Sequence, residues 1–444
     1  MSHPSRPPRA RAVSALAGAL TAIVLAGCSD RGEKLAAPVP ETVLPPFRSA
    51  QTCGGCHPAH LAEWESSMHA FGSADPLMLA MSDIAVNEVG PDRGGSCKRC
   101  HSPSLTRQKS WLDAGNVPSA EHPLEDVDQD GVSCDVCHSI TVVPPVGNID
   151  FLKDVDPRTA KLGGIADPVH NDFHESRADD SFRTSIQCAS CHQLNLPDGT
   201  AVEDTFEEWQ RSILSGMGIE CQNCHMPAYQ GPAVADGPVR TVHHHTFVGA
   251  DYTYEAFRGV DLAAQKDAIA HLLRNSVSVA LTVPPTVPPS GTLPVSVAVT
   301  NDFAGHSIPS GVSFSREMWI ELVVKDATGH DVHVSGRLDA NGDLPSDPDL
   351  ATFQATLRDA SGNRTFFTFR AKSIDARSLI RYAETRTVSY LVTVPVGTPG
   401  PLLVDATLHF RPVSPALVRS LQLDRLLPIQ VFDMWTGEAS VAVP

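Results

Sequence analysis

Five stretches of this 444-residue chain repeat one reactive pattern: Cys53-Gly-Gly-Cys56-His57, Cys97-Lys-Arg-Cys100-His101, Cys134-Asp-Val-Cys137-His138, Cys188-Ala-Ser-Cys191-His192 and Cys221-Gln-Asn-Cys224-His225. A single CxxC would serve equally well as a redox dithiol or as half a zinc site. Five copies use ten of the eleven cysteines, and a histidine follows every second cysteine. A disulfide framework has no reason for that histidine, and zinc needs four ligands per ion without a fixed tripeptide. The pattern is the attachment signature of c-type haem, in which two thiols form thioethers to the porphyrin and the adjacent imidazole lies beneath the iron. It predicts five covalent haems, with His57, His101, His138, His192 and His225 as proximal ligands.

A carrier haem has an imidazole on both faces of the iron, whereas a catalytic haem keeps one face open. The sequence supplies more histidines than five distal positions require. His60 lies three residues after His57, too close in the chain to reach the far face of the same haem, but able to serve a neighbour. In the run His243-His244-His245 an extended chain puts the first and third on one face and directs His244 to solvent. His306 lies in AGHSIPSG, a loop stiffened by glycine and proline, and is either a ligand lent by the carboxy-terminal part or a turn histidine. Asp126, Asp128 and Asp130, followed by Gly131, resemble the first half of a calcium loop, but its twelfth position is Cys137 and not Glu. Calcium there competes with a plain acidic loop.

The elements that must position these groups fall into distinct stretches. Residues 1–27 carry three arginines and an apolar run, the layout of a signal peptide, ending Leu25-Ala26-Gly27-Cys28. That ending, with the one cysteine outside the motifs, predicts lipidation of Cys28 and anchoring to a membrane. Ser29 follows where the inner-membrane retention signal would have Asp, which favours the outer membrane, facing periplasm or cell surface. Removing the signal takes the formal charge from −17 to −20, which excludes nucleic acid as a partner and is compatible with basic redox proteins. Residues 28–50 are polar and proline-rich, a flexible linker. Residues 51–250 hold all five motifs and too little chain per motif for an ordinary apolar core, so short helices and irregular connections must pack on the haems. Residues 251–275 form a helical connector, with a helix expected over 253–275 and Asp261 as N-cap. From 276 to 444 apolar residues alternate with period two between turn signals, which predicts about seven strands and an all-β antiparallel sandwich.

The strings CHPAHLAEWESSMHAFGSADP (56–76), GVSCDVCH (131–138), FHESRADDSFRTSIQCASCHQ (173–193), EEWQRSILSGMGIECQNCHMP (207–227), HHHTFVG (243–249) and AGHSIPSG (304–311) resemble those of multihaem c-type cytochromes with an amino-terminal cytochrome region and a β-rich carboxy-terminal region. The resemblance runs from 51 to about 325. It implies distal roles for His69 and His174, the latter ahead of His170; of the two histidines that an extended chain puts on one face, His245 is preferred to His243. Multihaem reductases of small oxyanions often mark the active haem with lysine in place of the proximal histidine, and no CxxCK occurs in this chain. The sequence therefore predicts electron transfer in the bacterial envelope by a lipid-anchored pentahaem carrier or conduit component. The alternatives are a reductase of a small oxyanion or peroxide at one open-faced haem, and a structural docking component of a larger cytochrome assembly. No catalytic residue is assigned.

Overall fold

The computed structural model describes residues 44–115, 117, 129–140, 155–196 and 199–444. Cys28, His122, Asp126 and Asp128 lie outside the described residues. Among the described residues no helix is long and apolar enough to cross a membrane.

Residues three and four apart share one face of a helix, so a single helical turn brings both thiols and the imidazole of a CxxCH to one side. Cys97–His101, Cys134–His138 and Cys221–His225 are such turns. In the first and fourth motifs the amides of His57 and His192 donate to the carbonyls of Cys53 and Cys188, both at 2.9 Å. Longer helices flank the first two motifs: Pro58–Glu65, Pro76–Val89 and Pro103–Asp113. Each opens on proline, whose missing amide has no partner to lose in a first turn. Apolar packing in this region is thin, with Phe47 against Val136, Ile140 and Val155, and Ala50 against Trp64 and Ala70. Phe47 is fully buried and lies against the Arg107 guanidinium, so packed structure begins within the stretch expected to be linker.

The carboxy-terminal part consists of antiparallel sheets. One has the strand order β4–β3–β7–β8, where β3 is Glu317–Lys325, β4 Asp331–Ser335, β7 Leu402–Arg411 and β8 Phe432–Val441; β5, Ala351–Phe353, also pairs with β3. The other has β1, Ser278–Thr282, and β6, Thr385–Thr393, on either side of β2, Thr292–Thr300. Period-two alternation makes one face of each sheet apolar. Leu293, Val295, Val297 and Val299 of β2, with Tyr390 and Val392 of β6, meet Met318, Ile320, Leu322 and Val324 of β3 and Val404, Ala406 and Leu408 of β7 in one core. β3 departs from alternation, since Trp319 on its outer face is also fully buried and its indole donates to the Gly336 carbonyl. Gly336 has φ +73° and a Cβ there would lie 2.3 Å from the Ile320 carbonyl, so only glycine fits. Residues 351–375 add short strands that the alternation did not reveal, among them Thr356–Arg358 between Arg364–Thr365 and Ser373–Asp375.

The connector helix is Leu262–Arg274, with Asp261 accepting from the amides of Ala263 and Ala264. It does not extend back to 253 as expected, because Arg258 and Gly259 adopt positive φ, 44° and 72°. Ile269 and Leu273 are buried and the helix packs on β8. The two regions interlock in one unit from Val43 onward. Leu77, Ala80, Met81 and Ile84 of Pro76–Val89 pack against Val413, Leu417, Val418 and Leu421, and Val202 packs with Phe314 and Leu357.

Candidate haem-binding site

Four proximal imidazoles each face a second imidazole from a distant part of the chain. The ring centres are 6.5 Å apart for His57 and His174, 6.4 Å for His138 and His245, 6.4 Å for His225 and His306, and 6.2 Å for His192 and His69. Two imidazoles on opposite sides of one metal, each bonded at about 2.0 Å, have their ring centres roughly 6 Å apart. The donor geometry therefore fits haem iron.

Tautomer and charge fit as well. Nδ1 of His57 is 2.6 Å from the Ala233 carbonyl, that of His138 2.5 Å from Leu162 O, and that of His225 2.6 Å from Val248 O. On the facing rings, Nδ1 of His245 meets His243 O at 2.8 Å, that of His306 meets Ser307 O at 2.8 Å and that of His174 meets Glu175 O at 3.1 Å. A carbonyl only accepts, so Nδ1 carries the proton and Nε2 keeps its lone pair for a metal. Burial pushes His69 and His245 down to about 3 and lowers His138, His225 and His306, which holds them in the neutral form that ligation requires. His192 stands apart. Desolvation pulls it down, but the Glu203 carboxylate, 3.9 Å from Nδ1, and then the Cys191 and Cys221 thiols outweigh this and push it up to about 9, so this ring is not held neutral as the others are.

His69 is set by the short helix Met68–Phe71, which Ser67 caps. The Val132 amide donates to its carbonyl at 2.9 Å, and a Cβ on Gly131 would fall 2.1 Å from that oxygen, so the glycine permits the close approach. His306 sits on the β-region loop, which is clamped to helix Thr205–Gln210 of the motif region. Glu208 accepts from the Ser307 amide at 3.2 Å and the Ser310 hydroxyl at 2.6 Å, while the Thr205 and Ser310 hydroxyls bond at 2.8 Å. Arg316 adds a bidentate pair with Asp251, at 2.7 and 3.1 Å. Neither Glu203 nor Glu208 carried a signal in the sequence: Glu203 meets His192 through a short hairpin that no pattern marks, and Glu208 acts on a loop of the other region.

Other expected residues are placed differently. His60 lies edge-on to His245, ring centres 4.7 Å apart, and at 60° to His57 at 6.3 Å. His243 ends the strand Val239–His243, so His245 lies beyond it, and the Nδ1 of His243 meets Met226 O at 2.6 Å. Among the described residues no imidazole stands across from it as in the four pairs. His244 is not simply turned to solvent, since it stacks on Tyr229 and its Nδ1 lies 2.5 Å from Glu63 Oε1. No second imidazole stands at the pair separation from His101 among the described residues. Asp130 has a fully buried carboxylate, with one oxygen accepting from the Ala50 amide at 2.8 Å and the other from Arg258 at 2.9 Å. The guanidinium neutralises it, and calcium has no support at this position.

Thiols of different motifs also meet. The thiols of Cys53 and Cys134, of Cys100 and Cys191, and of Cys188 and Cys221 lie close enough to perturb one another's ionisation. Numbering motifs along the chain, the first abuts the third, and the fourth abuts both the second and the fifth.

Fold and donor set together describe a region suited to hold c-type haem, followed by a β-rich carboxy-terminal region. Residues 52–139 match the family model described as cytochrome c554 and c-prime. The whole is similar to the crystal structure of a penta-heme cytochrome c552 from Thermochromatium tepidum, with a TM-score of 0.63 and 23% identity over 89% of this chain and 99% of that one. At that identity the likeness is one of fold. Partial likenesses to a CARDB domain from Pyrococcus furiosus in complex with di-metal ions (12% identity, 38% of this chain and 87% of that one, TM-score 0.18) and to a β-glucosidase from Listeria innocua in complex with gluconolactone (13% identity, 37% and 16%, TM-score 0.16) carry no argument. No curated protein matches.

Proposed function

We propose that this chain carries five covalent haems and passes electrons among them, as a redox carrier or conduit component of the bacterial envelope. The observation that carries the reading is the set of four facing imidazole pairs, His57–His174, His138–His245, His192–His69 and His225–His306. Two imidazoles per iron suit electron transfer. The abutting motifs provide a route: first to third, with the fourth as a junction to the second and fifth. The chain's residues do the rest. Cysteine pairs fix each haem, Nδ1–H donors orient the imidazoles, and burial keeps His69, His138, His225, His245 and His306 neutral. Acylated Cys28 would hold the protein at a membrane, and its net negative charge suits basic redox proteins as partners. The test is His306→Ala in the full-length haem-loaded protein. One haem in five should turn high-spin and bind carbon monoxide when reduced, while an unchanged spectrum in a folded variant refutes the ligand role.

A second reading rests on His101. With no facing imidazole among the described residues, the second haem is the one suited to take a small ligand, which would make the protein a reductase of a small oxyanion or peroxide. Under this reading the untreated oxidised protein already contains one high-spin haem that binds nitrite or peroxide.

A further inference from the structure

Three of the proximal histidines direct Nδ1 at a neutral backbone carbonyl, at Ala233, Leu162 and Val248. His192 instead faces a carboxylate, Glu203 Oε1 at 3.9 Å. The chain builds this contact locally: after the fourth motif, Leu194–Asn195 pairs antiparallel with Ala201–Glu203, and the register sets Glu203 opposite Leu194, two residues beyond the ligand. The β-region then holds the carboxylate in place. Glu203 Oε1 accepts from the Thr205 hydroxyl at 2.7 Å and that hydroxyl meets Ser310, while a Cβ on Gly311 would lie 3.4 Å from the other oxygen. Only 15% of the Glu203 side chain is exposed.

A negative group behind a metal-bound imidazole raises the basicity of the ligand and stabilises the more positive state of the metal, more strongly where water is excluded. We propose that Glu203 is a positioning and tuning residue for the fourth haem, lowering its reduction potential below the value that a carbonyl partner would give. This inference rests on the haem assignment above. It also has a consequence for the route. The fourth motif abuts both the second and the fifth through Cys191 and Cys188, so the junction becomes a site on which an electron rests less readily, and transfer between branches is a step up and then down.

The test uses the full-length haem-loaded protein in a spectroelectrochemical titration with electron paramagnetic resonance. In Glu203→Gln, which keeps the shape and removes the charge, one midpoint should move positive by a tenfold change in the oxidised-to-reduced ratio or more, 59 mV for one electron. The other midpoints should stay in place, and one low-spin signal should change. Glu203→Asp should restore much of the shift. Thr205→Val removes the hydroxyl that shares the carboxylate's charge and should move the same wave the opposite way, which keeps the idea testable should the glutamine variant fold poorly. A merely structural Glu203 would lower the unfolding temperature in these variants without moving any wave, and superimposable titrations overturn the proposal. Absence of haem from the Cys188–Cys191 peptide in mass spectrometry would overturn the haem assignment itself, a distinct outcome.

Discussion

Arg258→Met removes the cation bonded to the buried Asp130 carboxylate. In the intact protein Asp130 Oδ1 receives Arg258 at 2.9 Å and Oδ2 receives the Ala50 amide at 2.8 Å, with no exposure of the Asp130 side chain and 10% of that of Arg258. The guanidinium also lies over the rings of Trp64 and Phe257, at 5.1 and 5.3 Å. Methionine keeps most of that apolar contact, so the loss is concentrated on the stranded carboxylate. Breaking a buried pair by removing one partner costs about 3–5 kcal/mol. At about 1.4 kcal/mol per factor of ten, local opening around Ala50, at the start of the first motif's helix, should become roughly a hundred to a few thousand times more frequent. Hydrogen exchange followed by mass spectrometry on the peptide spanning 47–56 reads this directly. Burial already holds Asp130 above its ordinary value, against Ala50 and Arg258 which lower it. Without the arginine the deficit should be greatest at neutral pH and shrink on acidification, as protonation removes the unpaired charge. Asp130→Asn placed in the Arg258→Met background removes the stranded charge and still accepts from Ala50, so it should recover most of the loss, and calcium or chelator should change nothing. Exchange in Arg258→Met within threefold of the parent would refute the reasoning.

Glu208→Ala removes two charge-assisted bonds from the loop carrying His306, together about 3 kcal/mol, and should make part of one haem high-spin on warming, as read by variable-temperature absorption. Asp75, whose side chain caps helix Pro76–Val89 through the Leu77 amide, is pushed up to about 7 by burial, with Asp251 and Glu255 adding to the shift. A folded value above the unfolded one gives stability that is present below about pH 4 and lost as pH rises through about 7. Asp75→Asn, still a good cap, should flatten that slope and stabilise the protein at pH 8 by up to about 4 kcal/mol, which thermal unfolding across pH will check. Gly336→Ala should destabilise by about 2–4 kcal/mol through its positive φ and the collision with the Ile320 carbonyl, visible as a lowered denaturant midpoint.

What could be read from the sequence was what sits in contiguous residues. The CxxCH turns needed only local helix geometry, and period-two alternation marked β2, β6 and β7 because each buries one face. β3 escaped that reading because Trp319 and Gly336 bury its second face, and 351–375 escaped because its strands are too short to show a period. Alternation set His243 and His245 on one face, but only the meeting with His138, more than a hundred residues earlier, distinguishes them. Glu203, Glu208 and Arg258 are ordinary charged residues in the sequence. Their significance comes from burial and from partners such as Ser310 and Asp130 that folding brings to them.

The facing imidazoles also impose a schedule. A chain emerges amino terminus first and its parts fold in that order, so a pair can close only when its later member has appeared. His174 completes the first pair, His192 the one with His69, His245 the one with His138, and His306 the last, 81 residues after His225. That last closure waits for β1, β2 and the clamped loop, although all five attachment motifs have by then been made. A chain interrupted between 250 and 300 would hold every thiol pair and still lack one outer ligand. With His306 as the proposed ligand, the β-region would thus serve as a completion check on the haem-binding region that precedes it.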